Sequence, residues 1–415
     1  IKLKNKNNFI INKCRICNSK LQKILYLGKQ PPANSLRKSV SSKIQKYELT
    51  LAKCISCHTL QLNNTINPKY LFTDYVWVTG TSSTARKHTK TFFKETIKRI
   101  KNKNKRYIFE VASNDGTFLQ EYKKNNYEVL GIDPAKNIAK IANKDGIKTI
   151  AEFFSLQSSK KIKLKYGSPD LIFARNVIPH VENINEVIKS IFHIMDEKSL
   201  GCIEFHYNKK IYDELQYDSI YHEHVFYFSL KTITNLLNKF ELYAYDCKTS
   251  PISGGSLMLY FTKNRKKALT KSYTNILNNE IKSKINNKNT WKIFSKKVEQ
   301  HRDRIRRLFE KYKSEKTKVF AYGASARSST FLNFCKLDNK NIICIFDKSE
   351  HKHNKYTAGS NIVIKSSNDI VMIKPKIIIL LAWNFKFEII NYLKSIKFSG
   401  KIIIPFPRKP YSINI

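Results

Sequence analysis

No apolar run in this chain approaches the length of a membrane span; the longest, Ile377 to Trp383, has the length of one buried strand. The opening residues, IKLKNKNNFI, contain no apolar leader and no small-residue cleavage site, so a cytoplasmic setting is expected. Acidic residues are scarce: 32 Asp and Glu stand against 76 Lys and Arg, for a formal charge of +44. What is missing is any gathering of that charge. The lysines are spread along the whole chain, and no stretch interleaves basic and aromatic residues as an RNA-binding sheet does. Lys, Asn and Ile are abundant together, the signature of AT-rich codons. Specific nucleic-acid binding is therefore not expected, and neither is a membrane partner. The charge leaves a general, salt-sensitive attraction for phosphate-bearing substrates.

What is present supports folded domains. The 415 residues are 41% hydrophobic, enough for buried cores in two or three domains. Eight cysteines include two pairs, Cys14-x-x-Cys17 and Cys54-x-x-Cys57. A Cys-x-x-Cys turn aims two thiolates at one ion, and two such turns complete a tetrahedron. A redox pair would occur once, before a helix, and disulfides are out of place in the cytoplasm. Zn2+ held by four thiolates has no open position, so the site is expected to be structural. His58 reads as a bystander, and Cys202, Cys247, Cys335 and Cys344 read as small core residues.

From Tyr107 the chain alternates strands and helices, the mark of a doubly wound sheet with its ligand at the strand C-termini. Strands are expected at Tyr107–Ala112, Tyr127–Ile132, Asp170–Ala174 and Ser199–His206, with a closing pair at Glu241–Cys247 and Ser256–Thr262. The first turn, Glu110-Val111-Ala112-Ser113-Asn114-Asp115-Gly116, is rich in small residues. The second strand ends in Asp133, whose carboxylate is placed to accept ribose hydroxyls. That logic serves NAD as well as S-adenosylmethionine. The turn lacks a full Gly-x-Gly-x-x-Gly, which lowers NAD.

The segment resembles class I S-adenosylmethionine methyltransferases, with Ala112 where that class has its first Gly. The resemblance implies ribose binding by Asp133, a methionine end lined by Asn114, Asp115 and Gly116 beside Glu110, adenine near Phe153 and Phe154, and Asn176 facing the site. A closer likeness runs over nearly the whole chain. Pro31-Pro32-Ala33-Asn34-Ser35-Leu36, Asp74-Tyr75-Val76-Trp77, Ile220-Tyr221-His222-Glu223-His224, Gly254-Gly255-Ser256-Leu257, Tyr322-Gly323-Ala324-Ser325-Ala326-Arg327 and Leu381-Ala382-Trp383-Asn384 resemble, in order, stretches of zinc-containing sugar C-methyltransferases of deoxysugar pathways. Ala358-Gly359-Ser360-Asn361-Ile362 departs from that family's Pro-Gly-Thr-x-Ile. The likeness adds Tyr75 to the cofactor residues.

It also implies a reaction: C-methylation of a nucleoside-diphosphate-linked keto-deoxysugar. Removing a proton beside a ketone needs a base, and a free imidazole titrates near ~6.5. The resemblance gives that role to His224, with Glu223 positioning it, Tyr221 donating toward the enolate oxygen and His180 as a second candidate. His222 and His224 would share a face if this segment were extended, with Glu223 on the other. A metal there finds no third ligand at convincing spacing. O- or N-methylation of a nucleotide sugar and an NAD-dependent sugar oxidoreductase are the alternatives. After a glycine-free, lysine-rich helical connector, Val319 starts a second nucleotide-binding-like βαβ unit. There Tyr322, Gly323, Ala324, Arg327, Asp347 and Lys348 are expected at the nucleotide sugar, with Arg327 on a phosphate. The expected organisation is α/β: a zinc-binding module (1–75), a class I methyltransferase Rossmann-like core with its helical connector (76–315) and a C-terminal Rossmann-like domain (316–415). Whether the chain works as a monomer or homodimer is left open.

Overall fold

The computed structural model describes residues 8–42, 44–67, 78–100 and 107–415. Tyr75 and the rest of Asp74–Trp77 lie outside the described residues. Among the described residues the N-terminal module has five strands: β1 (Asn8–Ile10), β2 (Leu21–Gln30), β3 (Tyr47–Cys54), β4 (Leu60–Leu62) and β5 (Asn64–Ile66). β1 pairs with β5, while β2, β3 and β4 form an antiparallel sheet.

The middle of the chain supplies β6 (Tyr107–Val111), β7 (Glu128–Ile132), β8 (Thr149–Ile150), β9 (Leu171–Arg175), β10 (Leu200–His206), β11 (Phe226–Tyr227), β12 (Tyr243–Ser250) and β13 (Ser256–Thr262). Seven of these form one sheet in the order β12-β13-β10-β9-β6-β7-β8. It is parallel from β8 to β10, and β13 and β12 close it antiparallel. Helices cover both faces, and the apolar runs YIFEV and LIFAR are those of strands with two buried faces. The strand order reverses between β6 and β9, which opens a crevice at their carboxyl ends.

β11 does not join that sheet. It pairs antiparallel with β4, with Phe226 opposite Gln61 and Tyr227 opposite Leu60, and extends the N-terminal sheet instead. A segment from the middle of the chain is thus built into the zinc module.

The C-terminal sheet, β14 (Phe320–Tyr322), β15 (Cys344–Asp347), β16 (Val363–Ser366), β17 (Ile377–Leu380), β18 (Lys401–Ile404) and β19 (Tyr411–Asn414), runs in the order β16-β15-β14-β17-β18-β19. It too is parallel up to one antiparallel edge, and its reversal falls between β14 and β17. The helix Lys288–Ser314 buries Trp291, Phe294, Val298, His301, Ile305, Phe309 and Tyr312, a 3–4 spacing that makes one apolar face. That face packs into one core with β2–β4 and the C-terminal sheet. The long helix thus packs against both the N-terminal sheet and the C-terminal sheet. Among the described residues no helix is long and apolar enough to cross a membrane.

Gly201 in β10 sits opposite Phe261 of β13, and an added Cβ there would meet the Phe261 ring at 2.2 Å. The bare backbone leaves room for the ring. Gly201→Ala is expected to destabilise the fold by about 1–3 kcal/mol through overpacking. Thermal unfolding checks this, with a fall in Tm of roughly 2–4 °C per kcal/mol.

Candidate active site

One cavity of about 840 Å³ lies between the two strand reversals. Val111, Ala112, Asn114, Asp133, Phe153, Phe154, Arg175 and Asn176 form one wall, and Ala324 to Ser329 with Ser349, Lys352 and Lys355 form the other. Tyr221, Glu223 and His224 reach the same space, as does Asn34 from the N-terminal module.

On the first wall the Asp133 carboxylate accepts the Asn114 backbone N–H at 2.8 Å and the Ala135 N–H at 2.9 Å. Burial pushes its pKa up, and those two N–H groups oppose the rise. Each oxygen keeps a lone pair, so the fixed carboxylate has room for two ribose hydroxyls. Ala112, Asn114 and Asn176 have φ of 52°, 51° and 50°, left-handed values that non-glycine residues adopt at a cost. The turn is thereby bent so that its backbone borders the cavity. The residues present fit an adenosyl group.

Three residues expected at the cofactor stand behind the lining. Glu110 is buried within β6, and desolvation holds its carboxyl well above the usual range. Asp115 accepts the Gly80 N–H at 2.8 Å and the Thr117 hydroxyl at 2.7 Å, pinning a neighbouring loop. Gly116, at φ 75°, leaves space for Ile147, which an added Cβ would meet at 2.8 Å. Beside them Arg175 reaches Glu204 through Nε and Nη2, both at 2.8 Å, and His88 reaches the other oxygen at 2.9 Å. Burial alone would raise the Glu204 carboxyl, but Arg175 and His88 outweigh it and bring it down to about 2.

On the second wall Ala324 and Arg327 line the cavity, whereas Tyr322, Gly323, Asp347 and Lys348 do not. Asp347 shapes the loop: its Oδ2 accepts the Ala324 N–H at 2.8 Å and lies 3.2 Å from Lys352 Nζ. Gly323 abuts Ala382, and Lys348 pairs with Glu388 at 3.3 Å on the surface. Arg327 Nη2 donates to Gln216 Oε1 at 3.2 Å and to the Ser253 carbonyl at 2.5 Å, and Nη1 lies 3.7 Å from Asp218.

The segment Tyr221–His224 is a turn, so the shared face that an extended segment would give His222 and His224 does not arise. His222 points away from the cavity, with Nε2 donating to the Glu48 carbonyl at 3.2 Å and its ring edge-on to Tyr47. Glu223 and His224 both face the cavity. His224 Nδ1 donates to the Ser219 carbonyl at 3.0 Å, which leaves Nε2 as the acceptor of the Tyr221 hydroxyl at 2.7 Å. The His180 ring stands perpendicular to His224 with centroids 4.6 Å apart. Burial lowers His180 to about 4 against an opposing contact from the Glu223 backbone. Burial, reinforced by His180, His206 and Arg327, holds His224 well below the ordinary imidazole value. Both rings are therefore neutral bases at neutral pH. Glu223 accepts from Asn34 Nδ2 at 2.7 Å; burial raises its carboxyl to about 7, and Asn34 limits the rise.

Asn34, His206, Gln216 and Asp218 were not singled out individually from the sequence. Asn34 sits in a stretch noted only for its family likeness. The other three carry no motif, because their role arises where chain segments meet.

The four Sγ atoms of Cys14, Cys17, Cys54 and Cys57 lie within 4.8 Å of one another. A zinc tetrahedron with bonds of about 2.3 Å has edges of about 3.8 Å. Cys14–Cys57 at 3.6 Å and Cys17–Cys54 at 3.4 Å match that scale. Gln61 Nε2 donates to Cys14 Sγ at 3.0 Å, an outer contact of the kind that orients thiolates. His58 Nδ1 instead meets Lys53 Nζ at 3.0 Å and stays outside the cluster.

Comparison with known proteins divides the chain into three matches. Residues 14–72 match a zinc binding domain, 85–245 a methyltransferase domain and 251–407 a C-methyltransferase C-terminal domain. The C-methyltransferase NovU of Streptomyces niveus is 27% identical over 402 residues, covering 96% of each chain. Among solved structures, magnesium protoporphyrin IX methyltransferase from Synechocystis with bound S-adenosylmethionine is 10% identical, with 43% of this chain and 79% of that chain covered and a TM-score of 0.34. An S-adenosylmethionine-dependent methyltransferase from Archaeoglobus fulgidus is 18% identical, with 40% and 72% covered and a TM-score of 0.34.

Because Glu223 titrates near neutrality and the two imidazoles do not, turnover is expected to change with pH through a limb centred at about 7. A pH–rate profile checks this. The limb disappears in Glu223→Gln, and in Asn34→Ala it moves upward, since the lost hydrogen bond favoured the carboxylate.

Proposed function

We propose that this chain, an S-adenosylmethionine-dependent C-methyltransferase with a structural zinc site, methylates a nucleoside-diphosphate-linked keto-deoxysugar at the carbon beside its ketone. The observation that carries the reading is one cavity shared by three parts of the chain. It holds an adenosyl-type wall, a second nucleotide-type wall and a Tyr-Glu-His turn between them. A nucleotide sugar is long enough to span the second wall and present its sugar to the turn.

S-adenosylmethionine supplies an electrophilic methyl group on a sulfonium. Asp133 holds the ribose, with Phe153 and Phe154 at the adenine. On the far wall Lys352, Lys355 and the start of helix Ala326–Cys335 supply positive potential for the diphosphate. The ketone oxygen takes over the Tyr221 hydroxyl as its donor. That exchange frees His224 Nε2, which then accepts the proton from the adjacent carbon. His224 keeps its orientation because Nδ1–H stays on the Ser219 carbonyl. Glu223, beside the same carbon, carries the negative charge that favours the imidazolium as it forms. His180 presents a second neutral imidazole to the developing enolate. The remaining contribution is to keep the carbon and the methyl group in line.

The test uses a nucleoside-diphosphate 4-keto-6-deoxyhexose in D2O with S-adenosylhomocysteine in place of the donor. Wild type is expected to wash deuterium into the carbon beside the ketone. His224→Asn is expected to bind S-adenosylhomocysteine normally while losing both exchange and methyl transfer by about 10²-fold or more. Methyl transfer to the sugar without any exchange-competent carbon would place the methyl on oxygen or nitrogen instead.

A further inference from the structure

Where β10 ends, the methyltransferase core meets the C-terminal domain in a knot of buried polar groups. His206 and Arg327 are only 5% and 8% exposed, and both line the cavity. His206 Nε2 lies 2.9 Å from Gln216 Oε1. The Gln216 amide is fixed the other way, its Nε2 donating to Glu214 at 2.7 Å and to the Gly254 carbonyl at 2.7 Å. Gln216 Oε1 is thus an acceptor, so His206 carries its proton on Nε2 and presents a lone pair at Nδ1. Among the described residues that Nδ1 has no hydrogen-bond partner, and neither has Arg327 Nη1. A buried acceptor and a buried donor left open in adjoining side chains are costly unless something completes them.

The charge at this spot is already balanced. Arg327 Nη1 lies 3.7 Å from the Asp218 carboxylate, whose Oδ2 also accepts the Trp383 indole N–H at 2.7 Å. A diphosphate here would meet a compensated guanidinium, the Asp218 charge and an imidazole lone pair, two of which repel it. A hydroxyl meets both needs, donating to His206 Nδ1 and accepting from Arg327 Nη1.

Resting on the nucleotide-sugar reading, we propose that His206 and Arg327 together read one hydroxyl of the sugar ring, so that Arg327 selects the sugar rather than holding the diphosphate. This replaces the phosphate contact expected for Arg327 from the sequence. His206 and Gln216 act on the sugar side, and the diphosphate falls to Lys352 and Lys355.

Calorimetric titration with two stable probe pairs tests this: thymidine diphosphate against thymidine-diphosphate-glucose, and the uridine equivalents. Wild type is expected to favour the sugar-bearing probe of at least one pair. Arg327→Gln, made together with Asp218→Asn so that no buried charge is stranded, is expected to weaken the sugar-bearing probe about tenfold or more and leave the bare diphosphate within about twofold. His206→Phe should act alike, and His206→Asn, which keeps a polar atom near the Nδ1 position, should restore most of the preference. S-adenosylhomocysteine binding by each variant confirms that it is folded. Equal loss of both probes in the Arg327 variant would make it a phosphate seat and overturn the proposal, as would a wild type with no preference for the sugar. If folded wild type binds neither pair, the nucleotide-sugar reading itself fails, and this inference with it.

Discussion

The pairing of β4 with β11 is the constraint on which the site depends. β4 follows the second cysteine pair directly, and its Gln61 touches both the cysteine cluster and the strand register opposite Phe226. β11 begins two residues after His224. The zinc tetrahedron, by fixing the cysteine turns, fixes β4, and β4 fixes the far end of the Tyr221–His224 turn. The same module grips the turn twice more, through His222 to the Glu48 carbonyl and Asn34 to Glu223. None of the four cysteines lines the cavity, yet the module they belong to holds three of the turn's anchor points.

Desolvation sets the protonation states within that frame. The cavity is closed enough to keep His180 and His224 neutral and to bring Glu223 up toward neutrality. Next door the same burial acts on Glu204, where Arg175 and His88 compensate and keep the charge. One environment therefore yields a permanently ionised carboxylate that braces β9 against β10 and a titratable one that faces the substrate space. The difference is that the Arg175 guanidinium reaches Glu204, whereas Glu223 has only the neutral Asn34 amide.

Much of this was legible in the sequence because it is local. The two Cys-x-x-Cys turns, the acid after β7 and the continuous apolar strands each report a short-range geometry, and the alternation of strands and helices reports the layered α/β class. What was not legible is non-local. The contact of Asn34 with Glu223 joins segments 189 residues apart. His206, Gln216, Asp218 and Arg327 meet at a domain junction that no spacing encodes. The conformation of Tyr221–His224 is not encoded by the period-two placement of its histidines, which leaves both turn and strand open. In the folded chain the capture of β11 by the N-terminal sheet decides the matter. The helix Lys288–Ser314 was legible as packed on one face, but not that this face joins β2–β4 and the C-terminal sheet in one core.

Removing the metal tests most directly whether the zinc module positions the Tyr221–His224 turn. Zinc is stripped with a chelator and its loss quantified; S-adenosylhomocysteine affinity and single-turnover methyl transfer to a nucleoside-diphosphate 4-keto sugar are then read on the same sample. Affinity is expected to hold within a few-fold, because Asp133 and its turn belong to the methyltransferase sheet, and methyl transfer to fall by about 10²-fold and recover when zinc is returned. Transfer that persists without zinc, or affinity that falls in step with it, would mean that the zinc module does not hold the turn in place.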